Sequence, residues 1–299
     1  MSIIEIILVV FGLIASGYIS IKLNWLKSEH TTGLNHFAYY FALPAVIFVN
    51  LSAISFAAIA DYKLILLNLS VLFGTFILFY LILSISRAAP QTRNAVLICT
   101  ILGNTGYLGL PVARLAFGEG VMSTASLITA IHTFTGILLS LIILEKGKKH
   151  FLTGIFANPI IWSGILGVAF SFFAIKIPET ISFMLSAIAA TSVAVPTFAV
   201  GMFLAGFKIR KQVITLGIIS TTLKILALPL IAFFLAKLFG VTGIKASITV
   251  LMAAMPTAIA TFVLTEKNKF EQDISAATII ISTLISILTL TGILYLVGV

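Results

Sequence analysis

Charged residues are scarce in this chain of 299 residues, at 9% of the total against about a quarter in soluble domains. Hydrophobic residues make up 60%, and the mean hydropathy is +1.21. This composition excludes a water-soluble globule and predicts membrane-spanning helices, each of about 20 apolar residues. A closed β-barrel can also span a membrane, but its segments are short and alternate in polarity, unlike the long continuous runs here.

Cysteine is nearly absent too, since Cys99 is the only one. A single thiol excludes an intramolecular disulfide and has no cysteine partner for a metal cluster, so neither a metal nor a cofactor is predicted. The predicted spans contain no carboxylate at mid-depth and therefore no catalytic pair, so we predict no catalytic residue and no enzyme. The net charge of +9 does not indicate a nucleic-acid partner, because the basic residues are scattered among short loops.

Ten spans are predicted where the apolar runs are broken at charged or turn-rich clusters. Residues 1–21 contain no Lys or Arg, so they are interpreted as the first span rather than a signal peptide. Spans longer than 20 residues imply tilt or interruption. Residues 1–143 and 158–299 then each hold five spans, joined by a loop at 144–157. The predicted spans are 3–21, 33–55, 63–85, 93–117, 122–143, 158–175, 180–206, 213–238, 244–265 and 273–297.

The short loops differ in basic charge between the two sides of the membrane. Twelve Lys and Arg residues lie on one side and five on the other, which predicts that both termini are extracytoplasmic. The predicted location is the plasma membrane. The predicted cytoplasmic set is Lys22, Lys27, Arg87, Arg93, Lys146, Lys148, Lys149, Lys208, Arg210, Lys211, Lys267 and Lys269. The opposite set is Lys63, Arg114, Lys176, Lys237 and Lys245.

The two halves of the chain resemble each other in the positions of their prolines. Pro44 and Pro196 are 152 residues apart, and Pro111 and Pro256 are 145 residues apart, each close to half the chain. Because five is an odd number of spans, the second half would be threaded in the opposite direction. This predicts an inverted repeat, as in many secondary transporters, although four prolines can also align by chance.

The stretch "LGNTGYLGLPV" (102–112) concentrates poor helix formers in an apolar run. Gly103, Gly106, Gly109 and Pro111 predict an interruption of the fourth span, with Pro111 opening its second half. "AAMPTA" (253–258) predicts the same in the ninth span. Two half-helix starts at mid-membrane would present free N–H groups and positive dipole ends to an anion.

A milder interpretation of these prolines is a kink with close packing of small residues. We favour the kink for Pro44, Pro196 and Pro229, and the functional interruption for 103–111 and Pro256. The residues predicted to bind substrate are Asn104, Thr105, Tyr107, Pro111, Lys224, Pro256 and Thr257.

Two ionisable residues lie deep inside predicted spans. Lys224 is near the centre of the eighth span, where a charge costs at least about 2.5–3.5 kcal/mol and usually has a function. As an ammonium it would attract a carboxylate; if it is neutral in the empty site, substrate binding would bring a proton with it. His132 is either a proton relay or a partner of hydroxyls such as Thr129. Asn68 is interpreted as a hydrogen-bonding contact between helices.

Four segments resemble the auxin efflux carrier family, which includes bacterial malonate and malate permeases as well as plant auxin exporters. The resemblance covers essentially the whole chain and implies ten helices in two inverted repeats of five, with helices 4 and 9 broken and crossing at the substrate site. It also implies a scaffold of helices 1, 2, 6 and 7 and a moving unit of 3–5 and 8–10. The segments are "GLNHFAYYFALPAVIF" (33–48), "GNTGYLGLPVARLAFG" (103–118), "LKILALPL" (223–230) and "AAMPTAIATFVLTEK" (253–267).

By this resemblance, Asn104 and Pro111 belong to the first crossing, Pro256 to the second, and Lys224 matches the family's basic residue in helix 8. The middle loop departs from the plant exporters, which commonly have a long one, so a prokaryotic carrier is the better interpretation.

We therefore predict an alternating-access transporter of small organic anions such as mono- or dicarboxylates. The alternatives are a sodium-coupled symporter resembling bile-acid carriers, or a channel. The sequence leaves open whether H⁺ or Na⁺ is the coupling ion and whether the protein forms a homodimer.

Overall fold

The computed structural model describes residues 2–53, 56, 60–85, 89–144, 158–207, 209–267 and 270–298. These residues are almost entirely helical and contain no β-strand. A single isolated β-bridge among them joins Gly103 to Thr257. The predicted loop at 144–157 lies, from residue 145 onward, outside the described residues.

Seven helices of the described chain are long and apolar enough to cross a membrane, which confirms the predicted class of an all-helical membrane protein. Their outer faces carry many exposed Leu, Ile and Phe side chains, as expected for surfaces in contact with lipid. The seven are α1 (Ile3–Lys22), α2 (His30–Ser52), α3 (Tyr62–Ile85), α6 (Glu119–Leu144), α8 (Glu179–Gly206), α9 (Lys211–Leu238) and α12 (Gln272–Leu296).

The other five helices are shorter and correspond, to within three residues, to the predicted spans 93–117, 158–175 and 244–265. The first and third of these spans are each divided into two helices, and the second holds one helix of 14 residues. The five are α4 (Pro90–Ile101), α5 (Leu110–Phe117), α7 (Pro159–Phe172), α10 (Gly243–Ala253) and α11 (Ile259–Lys267).

A π-helical turn precedes a Leu-Pro pair at three places. The turns are Ala38–Ala42 before Pro44, Thr105–Gly109 before Pro111, and Leu223–Ala227 before Pro229. Proline cannot donate to the carbonyl four residues earlier, and its ring clashes with that carbonyl. A wider turn relieves the clash, so α2 and α9 continue past their prolines through a π turn, where the sequence favoured a simple kink.

Helix α8 is interrupted by a turn at residues 191–193, where the sequence favoured a kink at Pro196 within the span 180–206. Pro196 explains the interruption, because it cannot donate to the carbonyl of Ser192, four residues before it. Beyond the turn, α8 packs closely against α1 through glycines. A methyl group on Gly201 would overlap the Ile14 carbonyl, and one on Gly17 would overlap the carbonyl of Phe198.

Candidate functional site

The two chain interruptions are hydrogen-bonded to each other. The Asn104 N–H donates to the Pro256 carbonyl at 2.7 Å, and the Ala258 N–H donates to the Leu102 carbonyl at 2.9 Å. These bonds form the antiparallel bridge between Gly103 and Thr257. Non-helical backbone cannot face lipid without partners, so this pairing accounts for how two interruptions persist inside an apolar bundle. We call residues 102–104 and 254–258 together the crossover.

Helical structure resumes after the first interruption at Thr105, earlier than the sequence predicts. Pro111 begins the α-helical part, α5, but the π turn Thr105–Gly109 already precedes it. The Asn104 carbonyl accepts hydrogen bonds from the N–H groups of Leu108 and Gly109. No described residue accepts from the N–H groups of Thr105, Gly106 or Tyr107, so the start of this half-helix has free donors.

Pro256 lies inside the second interruption rather than at the start of the next helix. Helix α11 begins three residues later at Ile259, because the carbonyl of Pro256 and the N–H of Ala258 are used by the bridge to the first interruption. The Thr257 N–H donates to Ser282 Oγ at 3.1 Å, which ties the crossover to α12.

Lys224 is 1% exposed, and its amine lies at the crossover. Its Nζ donates to the carbonyl of Ala253 at 3.3 Å. A methyl group on Gly103 would lie 2.7 Å from Nζ, so the absence of a side chain at Gly103 makes room for the amine. No carboxylate among the described residues is paired with Lys224. The site therefore combines one buried amine with free N–H donors.

The other two glycines of the predicted interruption serve packing. A methyl group on Gly106 would lie 2.9 Å from Leu43 Cδ1 in α2, and one on Gly109 would lie 2.7 Å from Met252 Sδ in α10. These glycines allow α5 and its π turn to approach α2 and α10 closely.

The predicted binding residues differ in the hydrogen-bonding capacity they have left. Tyr107 donates from its hydroxyl to the Asn35 carbonyl at 3.3 Å, and Thr257 donates from its hydroxyl to the Cys99 carbonyl at 2.8 Å. Thr105, another of the predicted binding residues, is buried, with 1% of its surface exposed. Asn104 is 4% exposed, and no described residue hydrogen-bonds its side-chain amide, so this amide remains available to a ligand.

His132 is bound by Asn68, not by the hydroxyls the sequence offered as partners. Its Nε2 lies 3.0 Å from Asn68 Oδ1, and Thr129 Oγ1 has no partner among the described residues. Asn68 also reaches Thr249 in α10. The sequence predicted that Asn68 makes a hydrogen-bonding contact between helices, and its bonds to Thr249 and His132 are such contacts. Sequence reasoning did not identify Thr249 as a partner.

The described residues contain no group of three or more His, Cys, Asp or Glu side chains placed to hold a metal ion. What the crossover offers is hydrogen-bond donors and one buried amine, which suit the binding of an anion.

Comparison with known proteins places the chain among transporters. The profile of the membrane transport protein family matches residues 2–154 and residues 143–294. An uncharacterized transporter of Methanocaldococcus jannaschii is 28% identical over 96% of this chain and 96% of its own length. The "Putative malonate transporter" of Rhizobium meliloti is 30% identical over 98% of this chain and 95% of its own. The rice "Probable auxin efflux carrier component 9" is 28% identical over 43% of this chain and 32% of its own.

Proposed function

Because the chain belongs to the auxin efflux carrier family of membrane transport proteins, we propose that it is a secondary transporter of small organic anions. The observation that carries this proposal is the Lys224 amine, buried against the crossover and paired with no carboxylate of the described residues. An ammonium at mid-membrane is tolerable when water, backbone carbonyls or a bound anion compensates its charge.

A carboxylate fits the donors that the crossover leaves free. One oxygen would accept from Lys224 Nζ, and the other from the Asn104 amide or from the N–H groups at the start of the half-helix at Thr105. Pro111, Pro256, Tyr107 and Thr257 would shape the site around these donors. The name of the Rhizobium relative supports dicarboxylates such as malonate as the first candidates.

The proposed architecture has ten spans in two inverted repeats. In it, α4 and α5 form one span and α10 and α11 another. The two bridged residues, Gly103 and Thr257, are 154 residues apart, close to half the chain, which supports a repeat. The first repeat is 1–143 and the second 158–299. Helices α1, α2, α7 and α8 would form the scaffold, against which the other helices move to alternate access from both sides of the plasma membrane.

Counterflow in proteoliposomes tests the proposal. Vesicles loaded with one unlabelled acid from a panel of mono- and dicarboxylates are given the labelled acid outside, with and without a sodium gradient. We expect saturable accumulation of at least one acid and no chemical change in it. The absence of counterflow for every acid contradicts the proposal. Flux that never saturates favours a channel, and strict dependence on sodium favours a sodium symporter.

A further inference from the structure

A hydrogen-bond network that the anion site does not use lies between α3, α6 and α10. His132 Nε2 lies 3.0 Å from Asn68 Oδ1. Asn68 Nδ2 donates to the Leu64 carbonyl at 2.9 Å and to Thr249 Oγ1 at 3.3 Å. Asn68 and Thr249 are fully buried, and His132 is 4% exposed. The network therefore fixes the position of a titratable ring inside the bundle.

The polarity of this network determines which nitrogen of His132 carries hydrogen. Thr249 Oγ1 gives its own hydrogen to the Lys245 carbonyl at 2.9 Å, so it can only accept from Asn68. The Leu64 carbonyl can also only accept. Both positions need the NH₂ group of Asn68, so its Oδ1 must face His132 and accept a hydrogen bond from Nε2–H. Reversing the amide would bring two oxygen acceptors to 2.9 Å.

A neutral His132 in this tautomer has its basic lone pair on Nδ1. No described residue hydrogen-bonds Nδ1. Lys224, which is buried at the crossover, is a basic group that acts electrostatically on the ring when it is protonated. The other charged groups on helices packed against α6 lie near the helix ends. Lys245 pairs with Asp61, Arg114 pairs with Glu119, Arg93 lies over the Tyr80 ring, and Lys63 is at the start of α3. The remaining titratable groups on those helices are His30, His36, Tyr39, Tyr40, Tyr62, Cys99 and Tyr107.

We propose that His132 takes up on Nδ1 a proton that crosses the membrane with the substrate anion, and that Asn68 is the positioning residue that sets this tautomer. The inference rests on the proposed transport function and names its coupling ion. The proton comes from water on the side to which the site is open. The ring becomes an imidazolium that still donates from Nε2 to Asn68, and Nδ1 returns the proton to water on the other side as the anion leaves.

Electrostatics links the two binding events. In the empty site the positive charge of Lys224 opposes a second positive charge on His132. A bound carboxylate offsets the charge of Lys224 and favours protonation of the ring, so anion and proton each promote binding of the other. A dicarboxylate carried with one proton would move a smaller net charge than the bare dianion.

His132→Gln tests the proposal in proteoliposomes that contain a trapped pH-sensitive dye. Glutamine can still donate to Asn68 Oδ1 but does not titrate. With the acid found by counterflow, we expect the wild-type KM to fall by up to about tenfold per unit decrease in pH within the range from about pH 5.5 to about pH 8.5. In His132→Gln we expect a KM independent of pH and at least an approximately tenfold loss of protons moved per substrate. His36→Gln in α2 is the matched control and should behave as wild type.

A spectroscopic measurement tests the tautomer independently of transport. In ¹⁵N-histidine-labelled protein in nanodiscs, the signals lost in His132→Gln identify the ring, and they should show hydrogen on Nε2. Thr249→Val and Asn68→Leu should weaken this preference, the second more strongly.

Four results would overturn the proposal. Proton movement that is unchanged in His132→Gln assigns the proton to another group. Substrate flux without proton movement in the wild type removes the coupling and leaves the transport function intact. Hydrogen on Nδ1 contradicts the tautomer even if His132→Gln does not transport. Failure of the wild type to transport any acid refutes the transport function itself, and the coupling with it.

Discussion

At the residue scale, the position of Lys224 depends on two neighbours distant in sequence. The Ala253 carbonyl accepts a hydrogen bond from its amine, and Gly103 leaves the space that the amine occupies. The π turn that precedes Pro229 contains Lys224 and sets the direction in which its side chain leaves the helix. A basic group with so few partners among the described residues is suited to bind an anion.

Replacing Lys224 with glutamine should weaken binding of the transported acid. A hydrogen bond to a charged group contributes about 1.5–3 kcal/mol, so we expect the Kd to rise about 10- to 100-fold. Calorimetry or tryptophan fluorescence on purified protein measures this. Lys237→Gln is the matched control, because Lys237 lies in the same helix over the ring of Phe233 and away from the crossover. An unaltered Kd in Lys224→Gln would make the lysine structural.

Asp61 and Lys245 form an ion pair between the start of α3 and α10, at 2.6 Å. The hydrogen bond from Lys245 lowers the pKa of the Asp61 carboxyl below its usual value of 3.8, against a smaller opposing effect of burial. Because the folded-state pKa is the lower one, the pair stabilises the fold above about pH 4 and loses this contribution as the pH falls through the folded-state pKa.

The pH dependence of this pair can be measured on Lys245→Met. We expect a lower melting temperature than wild type at pH 7, by an amount that corresponds to less than about 1 kcal/mol because the lysine is partly exposed. The difference should disappear at a pH below the folded-state pKa of Asp61. Asp61→Asn should lower the melting temperature similarly, and the variant with both substitutions should melt at nearly the same temperature as either single variant. A difference that persists in acid would assign the effect to packing.

At the element scale, the Leu-Pro pairs show how proline changes its own helix. Pro111 cannot donate to the carbonyl of Tyr107, and this carbonyl instead accepts from Thr197 Oγ1 in α8 at 3.0 Å. The π turn accommodates the proline ring, and the carbonyl that the proline leaves free bonds to a neighbouring helix.

Pro111→Ala should impair transport more than membrane insertion. Alanine restores an N–H that can donate to Tyr107, which favours an ordinary α-helical turn and shifts the backbone donors at Thr105 away from the site. We expect at least an approximately tenfold loss of kcat/KM at normal protein levels. Pro256→Ala should also lose transport, because Pro256 lies in the crossover. Pro44→Ala is the matched control, with the same Leu-Pro and π turn in α2. Full activity in both crossover variants would leave these prolines a packing role.

At the scale of the whole molecule, the basic residues predict the orientation of the chain in the membrane. In a Cys99→Ser background, Lys148→Cys should not react with a membrane-impermeant maleimide added to intact cells, because its loop is predicted to be cytoplasmic. Lys176→Cys, in the connection between α7 and α8, should react. Labelling of residue 148 from outside, with residue 176 protected, would show that the orientation is the opposite of the predicted one.

The sequence by itself determined the membrane class and the location of the unusual segments. A membrane span is recognised from the hydropathy of about 20 consecutive residues, and proline and glycine disturb the helical turn in which they lie. Spans and interruptions can therefore be located without knowing which residues are neighbours in space. Lys224 was likewise identified from the sequence, as a basic residue deep in a span with no carboxylate at mid-depth in the predicted spans. The exact form of each interruption could not be predicted in the same way, because it depends on where the freed carbonyls find donors. This applies to the π turns at Pro44 and Pro229, the turn before Pro196 and the half-helix that starts at Thr105.

Only the tertiary structure decided which groups meet. Gly103 pairs with Thr257, and Asn68 bonds to His132, 64 residues away, and to Thr249, 181 residues away. Periodicity indicates which face of a helix a side chain occupies, but it does not identify the neighbouring helix or the depth at which two helices align. A hydrogen bond depends on both, within a few tenths of an ångström. For this reason the sequence suggested an anion site at Lys224, and the packing of the helices was needed to find the network that orients His132.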